Sequence, residues 1–369
     1  MKNTFGNSIS MTVFGESHGK AVGVVVDGLA SGLEVNEAAI AAKLARRAPQ
    51  GMETARRDNN GFEIISGVFN GRTTGTPLTI VIANNDTRSE DYSYGIARPS
   101  HADYAAFRKY RGYEDYRGGG HFSGRVTAPV TAAGAIFVSM LEKLNIRLAS
   151  HILHCGNTMD RAFSDVEKDI ALLSDCAFPV LDSSVAEKML KEISNAKERG
   201  DSVGGIVQTA AVGLPAGLGE PWFDSMESML SHALFSIGGI KGVEFGAGFA
   251  CAGMRGSEYN DPLRMVNGAV VSERNNSGGI NGGITNAMPL IFQCAVRPTA
   301  SIAVEQETVN FLRGENTTVS VTGRHDPCIL RRVCPVIESM TAFVLCDMLA
   351  MRYGTEVFTR GAEQCGADL

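Results

Sequence analysis

Short apolar runs and longer apolar-periodic segments succeed one another along the chain and mark out its elements. Strand-like runs cover Val22–Val26, Glu63–Val68, Leu78–Ala83, Gly205–Val212, Gly242–Phe245 and Leu290–Val296. Helix-like segments cover Asn36–Arg47, Ala102–Tyr110, Ala128–Leu144, Ser184–Arg199, Met226–Phe235 and Val333–Tyr353. Asn36 is placed to cap the first helix, and Pro49 follows its end. The segment Ser184–Arg199 is charged along one side, as a surface helix is. Strands and helices alternate without steady βαβ spacing, which predicts a mixed α+β fold rather than a doubly wound parallel sheet. No low-complexity linker divides the chain, so residues 1–369 are expected to form one domain. Asp27-Gly28-Leu29-Ala30-Ser31-Gly32-Leu33 is echoed by Val212-Gly213-Leu214-Pro215-Ala216-Gly217-Leu218. The echo marks either two pseudo-repeated halves or a coincidence of Gly-rich turns.

Composition narrows the function. Hydrophobic residues make up 44% and charged residues 20%, as in ordinary globular proteins. The net charge of -6 excludes general nucleic-acid affinity, so an anionic ligand must meet a local cluster of Arg and His. No apolar run approaches the roughly 18 residues of a membrane span, and the first residues have no signal-peptide core. A cytoplasmic protein without membrane or nucleic-acid partners is expected. The 8 cysteines are scattered with no C-x-x-C pair, which predicts reduced thiols and no metal site. The 42 glycines fall in short groups, including Gly118-Gly119-Gly120, Gly238-Gly239 and Gly282-Gly283, which suggests a site built from loops.

Several segments carry candidate chemistry. F-G-E-S-H-G-K, Phe14 to Lys20, lacks P-loop spacing, and Ala21 replaces the required hydroxyl. It leaves Ser17 and His18 on a Gly-flanked turn, where the imidazole is available for acid–base work. In R-P-S-H-A-D-Y, Pro99 keeps Arg98 extended. Ser100 is expected to cap the next helix, putting His101 at its N-terminus with Asp103 in the first turn. D-Y-R-G-G-G-H-F-S-G-R joins three glycines to His121, Ser123 and Arg125, a nest suited to phosphate or carboxylate. G-R-H-D-P-C sets Arg324 and His325 beside Asp326. Alone, each segment is a weak signal that a turn, a helix cap or a surface pair would explain; their number is what points to a site.

In order, F-G-E-S-H-G, R-P-S-H-A-D, D-Y-R-G-G-G, L-P-A-G-L-G-E-P, S-I-G-G-I-K-G-V-E, G-G-I-N-G-G-I-T and G-R-H-D-P-C resemble the motif series of chorismate synthases over nearly the whole chain. The resemblance implies an anti-1,4-elimination of phosphate and the C6 hydrogen from 5-enolpyruvylshikimate 3-phosphate. Reduced FMN lends electron density in that reaction and recovers it, without net redox change. NADPH is a candidate reductant of the flavin. The resemblance assigns His18 to the departing phosphate, His101 to the reduced flavin, and Asp326 to removal of the C6 proton by way of the flavin N5. Ser17, Arg47, Arg98, Ser123, Arg125 and Arg324 become substrate ligands. Arg47, His121, Phe122, Ser123, Gly238, Gly239, Gly282, Arg297, Pro298, Thr299, Ala300, Ser301 and Arg324 become FMN ligands. A β-α-β sandwich is implied, with two antiparallel sheets as the core and helices outside, assembled as a homotetramer.

The chain departs from the family pattern at three places. His121 and Phe122 replace an Arg and a Ser, Ala300 replaces a Ser, and Gln50-Gly51-Met52-Glu53 alters a Gly- and Arg-rich stretch. Two rival readings remain at this level. A true NADPH-dependent flavin oxidoreductase is disfavoured because G-x-G-x-x-G after a strand is absent. A non-catalytic RNA-binding protein is disfavoured by the acidic balance and the lone tryptophan.

Overall fold

The computed structural model describes residues 2–49, 61–85, 94–174, 176–321 and 326–361. Its first half supplies β1 (Thr4–Phe5), β2 (Ser10–Gly15), β3 (Ala21–Asp27), β4 (Glu63–Ser66), the hairpin β5 (Val68–Phe69) and β6 (Arg72–Thr73), and β7 (Leu78–Ala83). Five of these make an antiparallel sheet in the order β1-β2-β3-β7-β4. A second sheet, in the order β11-β16-β10-β8-β9, uses β8 (Arg147–Cys155), β9 (Thr158–Met159), β10 (Gly205–Val212), β11 (Ile240–Phe245) and β16 (Leu290–Val296). Its strands are likewise antiparallel. Small hairpins β12 (Leu263–Val266) with β13 (Ala269–Ser272), β14 (Ile280–Asn281) with β15 (Ile284–Thr285), and β17 (Gln306–Asn310) with β18 (Glu315–Val319) stand outside the sheets.

The helices are α1 (Glu37–Arg47), α2 (Asp103–Tyr110), α3 (Thr127–Glu142), α4 (Val166–Leu173), α5 (Ser183–Glu198), α6 (Met226–Phe235), α7 (Gly256–Tyr259), α8 (Leu330–Tyr353) and α9 (Val357–Arg360). The mixed helix and antiparallel-sheet architecture agrees with the sequence reading, and Asn36 caps α1 through the Ala39 amide. The expected layer order is corrected. The long helices lie between the sheets: α3 packs on β3 and β7, α8 packs on β8 and β10, and α3 and α8 pack on each other. The physical reason is composition. Both helices are apolar on nearly every side, and a helix without a polar face has to be covered on every side. Among the described helices, α4 packs its apolar face on β8 and β10 in a separate outer cluster, while α5 lies beside the edge strand β9 and buries Met189 and Ile193 in the main core.

The expectation that no apolar stretch is long enough to span a membrane is corrected in the same region. Gly124–Glu142 and Leu330–Tyr353 are both long and apolar enough to cross a bilayer. Isolated polar residues such as Glu338 and Asp347 hide this when uninterrupted runs are counted. The first is largely buried and the second wholly buried inside the fold, which identifies them as core helices. Glu338 shows how α8 tolerates charge there. It accepts bonds from Lys43 Nζ at 2.9 Å, Arg46 Nη1 at 2.9 Å, Arg46 Nη2 at 2.8 Å and the Ser150 amide at 3.2 Å. The seven described cysteines form no disulfide with one another, and no cluster of metal-ligating side chains occurs among the described residues.

Candidate active site

The N-terminal end of α8 meets the C-terminal end of α1, and the cleft forms around that junction. Arg331 and Arg332 occupy the first turn of α8, where a cation opposes the helix dipole. They are stabilised by reaching the opposite dipole. Arg331 donates to the carbonyls of Arg46 (2.9 Å) and Ala48 (2.6 Å), and Arg332 Nε donates to that of Arg47 (3.1 Å). Arg332 also pairs with Asp326. Arg47, 3% exposed, is fixed by bonds to Thr127 Oγ1 (2.9 Å) and the Gly124 carbonyl (2.6 Å). Its guanidinium therefore enters the cleft in one orientation.

The three glycines form the opposite wall. Gly118, Gly119 and Gly120 have φ of 59°, 81° and 53°, a left-handed run that only glycine adopts without strain. Contact demands glycine as well. A Cβ at Gly118 would lie 2.5 Å from His18 Nε2 and 2.9 Å from Ser17 Oγ, and one at Gly119 would lie 3.3 Å from His101 Nε2. The glycine ribbon thus runs between His18 on one side and His101 on the other. The Gly120 carbonyl accepts the Ser17 amide at 3.0 Å, and His121 Nδ1 donates to the Gly15 carbonyl at 2.7 Å. Both bonds hold the His18 turn against the ribbon. Ser17 is 2% exposed, and its Oγ has no hydrogen-bond partner, an acceptor and donor left over for a ligand.

Around His101 the structure corrects the capping expectation. Ser100 has φ of 59° and does not cap; Ala102 holds the N-cap position of α2 without a side-chain bond. Asp103 instead turns back. It accepts from the Arg98 amide (3.0 Å), Arg98 Nε (2.8 Å), Arg98 Nη2 (2.7 Å) and His101 Nδ1 (2.6 Å). Burial raises the Asp103 pKa, but hydrogen bonds from Arg98 and His101 and their charge outweigh it and hold the carboxyl well below the usual range. An ionised carboxylate only accepts, so the His101 proton sits on Nδ1 and Nε2 is directed at the cleft. Arg98 Nη1 reaches Ser301 Oγ at 3.2 Å, tying this corner to the Arg297–Ser301 segment.

One cleft of about 250 Å³, partly open to solvent, is lined by Arg47, Arg98, His101, Gly118, Phe122, Ser123, Gly124, Arg125, Gly238, Gly239, Arg297, Pro298, Thr299, Ala300, Ser301, Asp326, Ile329 and Arg332. Gly239 has φ of 100°, and a Cβ there would press within 3.3 Å of Ile329. His18 and Ser17 border it through Gly118, while His121 lines an adjoining cavity instead. Gly282 does not reach the cleft. Its hairpin is bonded to the turn Pro215–Leu218, whose Gly217 carbonyl bonds Arg352, about 30 Å along α8 from Arg332 at 1.5 Å per residue. Arg324, His325 and Gln50–Glu53 lie outside the described residues. Sequence reasoning missed Arg332, although two arginines opening an apolar helix against its dipole were a readable signal.

The guanidinium groups of Arg47, Arg98, Arg125, Arg297 and Arg332 in one cleft, with the orphan Ser17 hydroxyl bordering it, suit a ligand carrying phosphate and carboxylates. Comparison with known proteins decides which. A family model described as Chorismate synthase matches residues 9–350. The chain belongs to the chorismate synthase family. Chorismate synthase of Methanocella arvoryzae is 45% identical over 94% of this chain and 94% of its own. That of Thermococcus gammatolerans is 45% identical over 96% and 99%, and that of Dehalococcoides mccartyi 42% identical over 96% and 98%. A crystal structure of chorismate synthase superposes with a TM-score of 0.74 at 26% identity, covering 95% of this chain and 94% of that one. Membership makes the chain a lyase of the shikimate pathway, acting in aromatic amino-acid biosynthesis. It implies 5-enolpyruvylshikimate 3-phosphate as substrate and a flavin as cofactor.

Proposed function

We propose that this cleft carries out the anti-1,4-elimination of phosphate and the C6 hydrogen from 5-enolpyruvylshikimate 3-phosphate beside reduced FMN. The observation that carries the reading is the convergence of Arg47, Arg98 with His101, Arg125 and Asp326, from four separate segments, on one open space. The residues present fit a flavin. Gly238 and Gly239 leave the wall beside Phe122 free of side chains, and Arg297 to Ser301 offer a cation and two hydroxyls. FMN, when bound in its reduced form, supplies the electron density that loosens the allylic phosphate and recovers it afterwards. His121 acts from behind this wall through its bond to Gly15.

The chain's own groups do the rest. Arg47, Arg98 and Arg125 hold the anionic groups, and Ser17 Oγ offers a further hydrogen bond beside His18. His18 steadies and protonates the departing phosphate. His101 Nε2, its ring oriented by Asp103, donates or holds a proton at the flavin edge. Asp326, with Arg332 against it, receives the proton lost from C6. Arg324 and Gly282 complete the notional ligand set, Gly282 only through a rearrangement or a second copy of the chain. The assembly is read as a homotetramer of single-domain subunits in the cytoplasm. Gly28 and Gly213, both left-handed at the ends of central strands β3 and β10, support two pseudo-repeated halves.

The test is anaerobic turnover of the substrate with chemically reduced FMN, following chorismate absorbance and free phosphate together. Equal release of both, absent with oxidised FMN, is expected. Adding NADPH with oxidised FMN then shows whether the chain reduces its own flavin. No release while reduced flavin is bound overturns the proposal.

A further inference from the structure

The side chain of Asn84, just past the end of β7, joins two parts of the site that the chain order keeps apart. Its Nδ2 donates to the Glu16 carbonyl at 2.9 Å and to the Gly19 carbonyl at 3.0 Å, the two ends of the turn that carries Ser17 and His18. Its Oδ1 accepts from Arg125 Nε at 3.1 Å. Only this orientation of the amide satisfies all three partners, because two are acceptors and one is a donor. The backbone reinforces the junction: the Asn84 amide donates to the Lys20 carbonyl at 3.1 Å, and Arg125 Nη2 donates to the Ala83 carbonyl at 3.1 Å. Every hydrogen-bonding group of one amide is thus spent on the geometry between the acid–base turn and a cleft guanidinium.

We infer that Asn84 is a positioning residue, which fixes the His18 turn relative to Arg125 so that the anion held by one is within reach of the other. The inference rests on the proposed role of His18. Aspartate is the informative replacement. Asn84→Asp keeps the acceptor for Arg125 but turns the two donors into an oxygen facing two carbonyl oxygens, so the turn is released while the guanidinium stays held. A displacement of about 1 Å at a reacting group costs about a hundredfold in rate. Asn84→Asp is therefore expected to lower kcat about a hundredfold with little change in KM, and Asn84→Ala to lower kcat and raise KM together.

The deciding experiment is a double-mutant cycle of Asn84→Asp with His18→Ala on the full chain with reduced FMN, with thermal unfolding as the control for folding. If Asn84 acts through His18, the double variant is scarcely slower than His18→Ala alone. Two effects that multiply, or an unchanged kcat in Asn84→Asp, overturn the inference. A His18→Ala variant with full turnover removes His18 from the proposed mechanism instead, so the two failures are distinguishable. Should Asn84→Asp not fold, the same cycle with Asn84→Ala reads the coupling.

Discussion

Two carboxylates in this molecule each gather two nitrogen-bearing side chains, and only one of them borders the candidate site. Glu338, 3% exposed at its side chain, accepts four bonds from Lys43, Arg46 and Ser150 between α1, α8 and β8. Asp103, 17% exposed, accepts four from Arg98 and His101 at the edge of the cleft. By the count of bonds to the carboxylate the two are equal. They differ in what the donors do next. Lys43 and Arg46 converge on Glu338 at the junction of three elements, whereas His101 turns Nε2 toward Gly119 and Arg98 extends Nη1 to Ser301. A saturated carboxylate is therefore no mark of function; a ring nitrogen that it aims at open space is.

The largest effect that could break this comparison is on turnover. His101→Ala should lower kcat about a thousandfold, within the range acid–base groups contribute and roughly 4 kcal/mol of barrier. The unfolding midpoint should barely move, since the ring is partly exposed. Turnover within threefold of the parent would make the Asp103 cluster as structural as the Glu338 one.

Next comes stability. Glu338→Ala leaves Lys43 buried without its partner, and losing one member of such a pair costs about 3 kcal/mol, at the lower end because Arg46 can rehydrate. Urea unfolding should show that loss, while kcat of the folded fraction stays near the parent value. A loss below about 1 kcal/mol would show that the core network is replaceable by water.

The same contrast explains what could be read in advance. Strands β7, β10 and β16 were legible because apolar runs bounded by turns identify buried strands. Strand β8 was not, since Ser150 and His151 interrupt it; their partners, Thr209, Asp160 and Gln208, come from other elements. The layer order came from the family resemblance, because the pattern gives only a helix's period, while its place depends on how much of its circumference is apolar. In the site, the three glycines and the histidines they separate were legible as local motifs. Asn84 was not, because its partners on the His18 turn and Arg125 are far away in sequence and only the folded chain brings them together; the same holds outside the site for Glu338.

Acid sharpens the comparison by the smallest margin. Burial alone would raise the Glu338 pKa, but the charges of Lys43 and Arg46 and their hydrogen bonds pull it down to about 2 from an ordinary 4.5. A carboxylate depressed in the folded state contributes stability that is complete above its unfolded pKa and is lost as pH falls through the folded one. The window for Glu338 thus runs from 4.5 down to about 2. The parent and Glu338→Ala should differ most in urea midpoint near neutrality and converge across that window. Asp103 titrates in the same direction, but its exposed edge lets solvent replace part of what Arg98 and His101 provide, so Asp103→Asn should narrow the gap less. An undiminished difference between the parent and Glu338→Ala at about pH 2.5 would mean that packing, and not the paired charge, is what Glu338 contributes to the core.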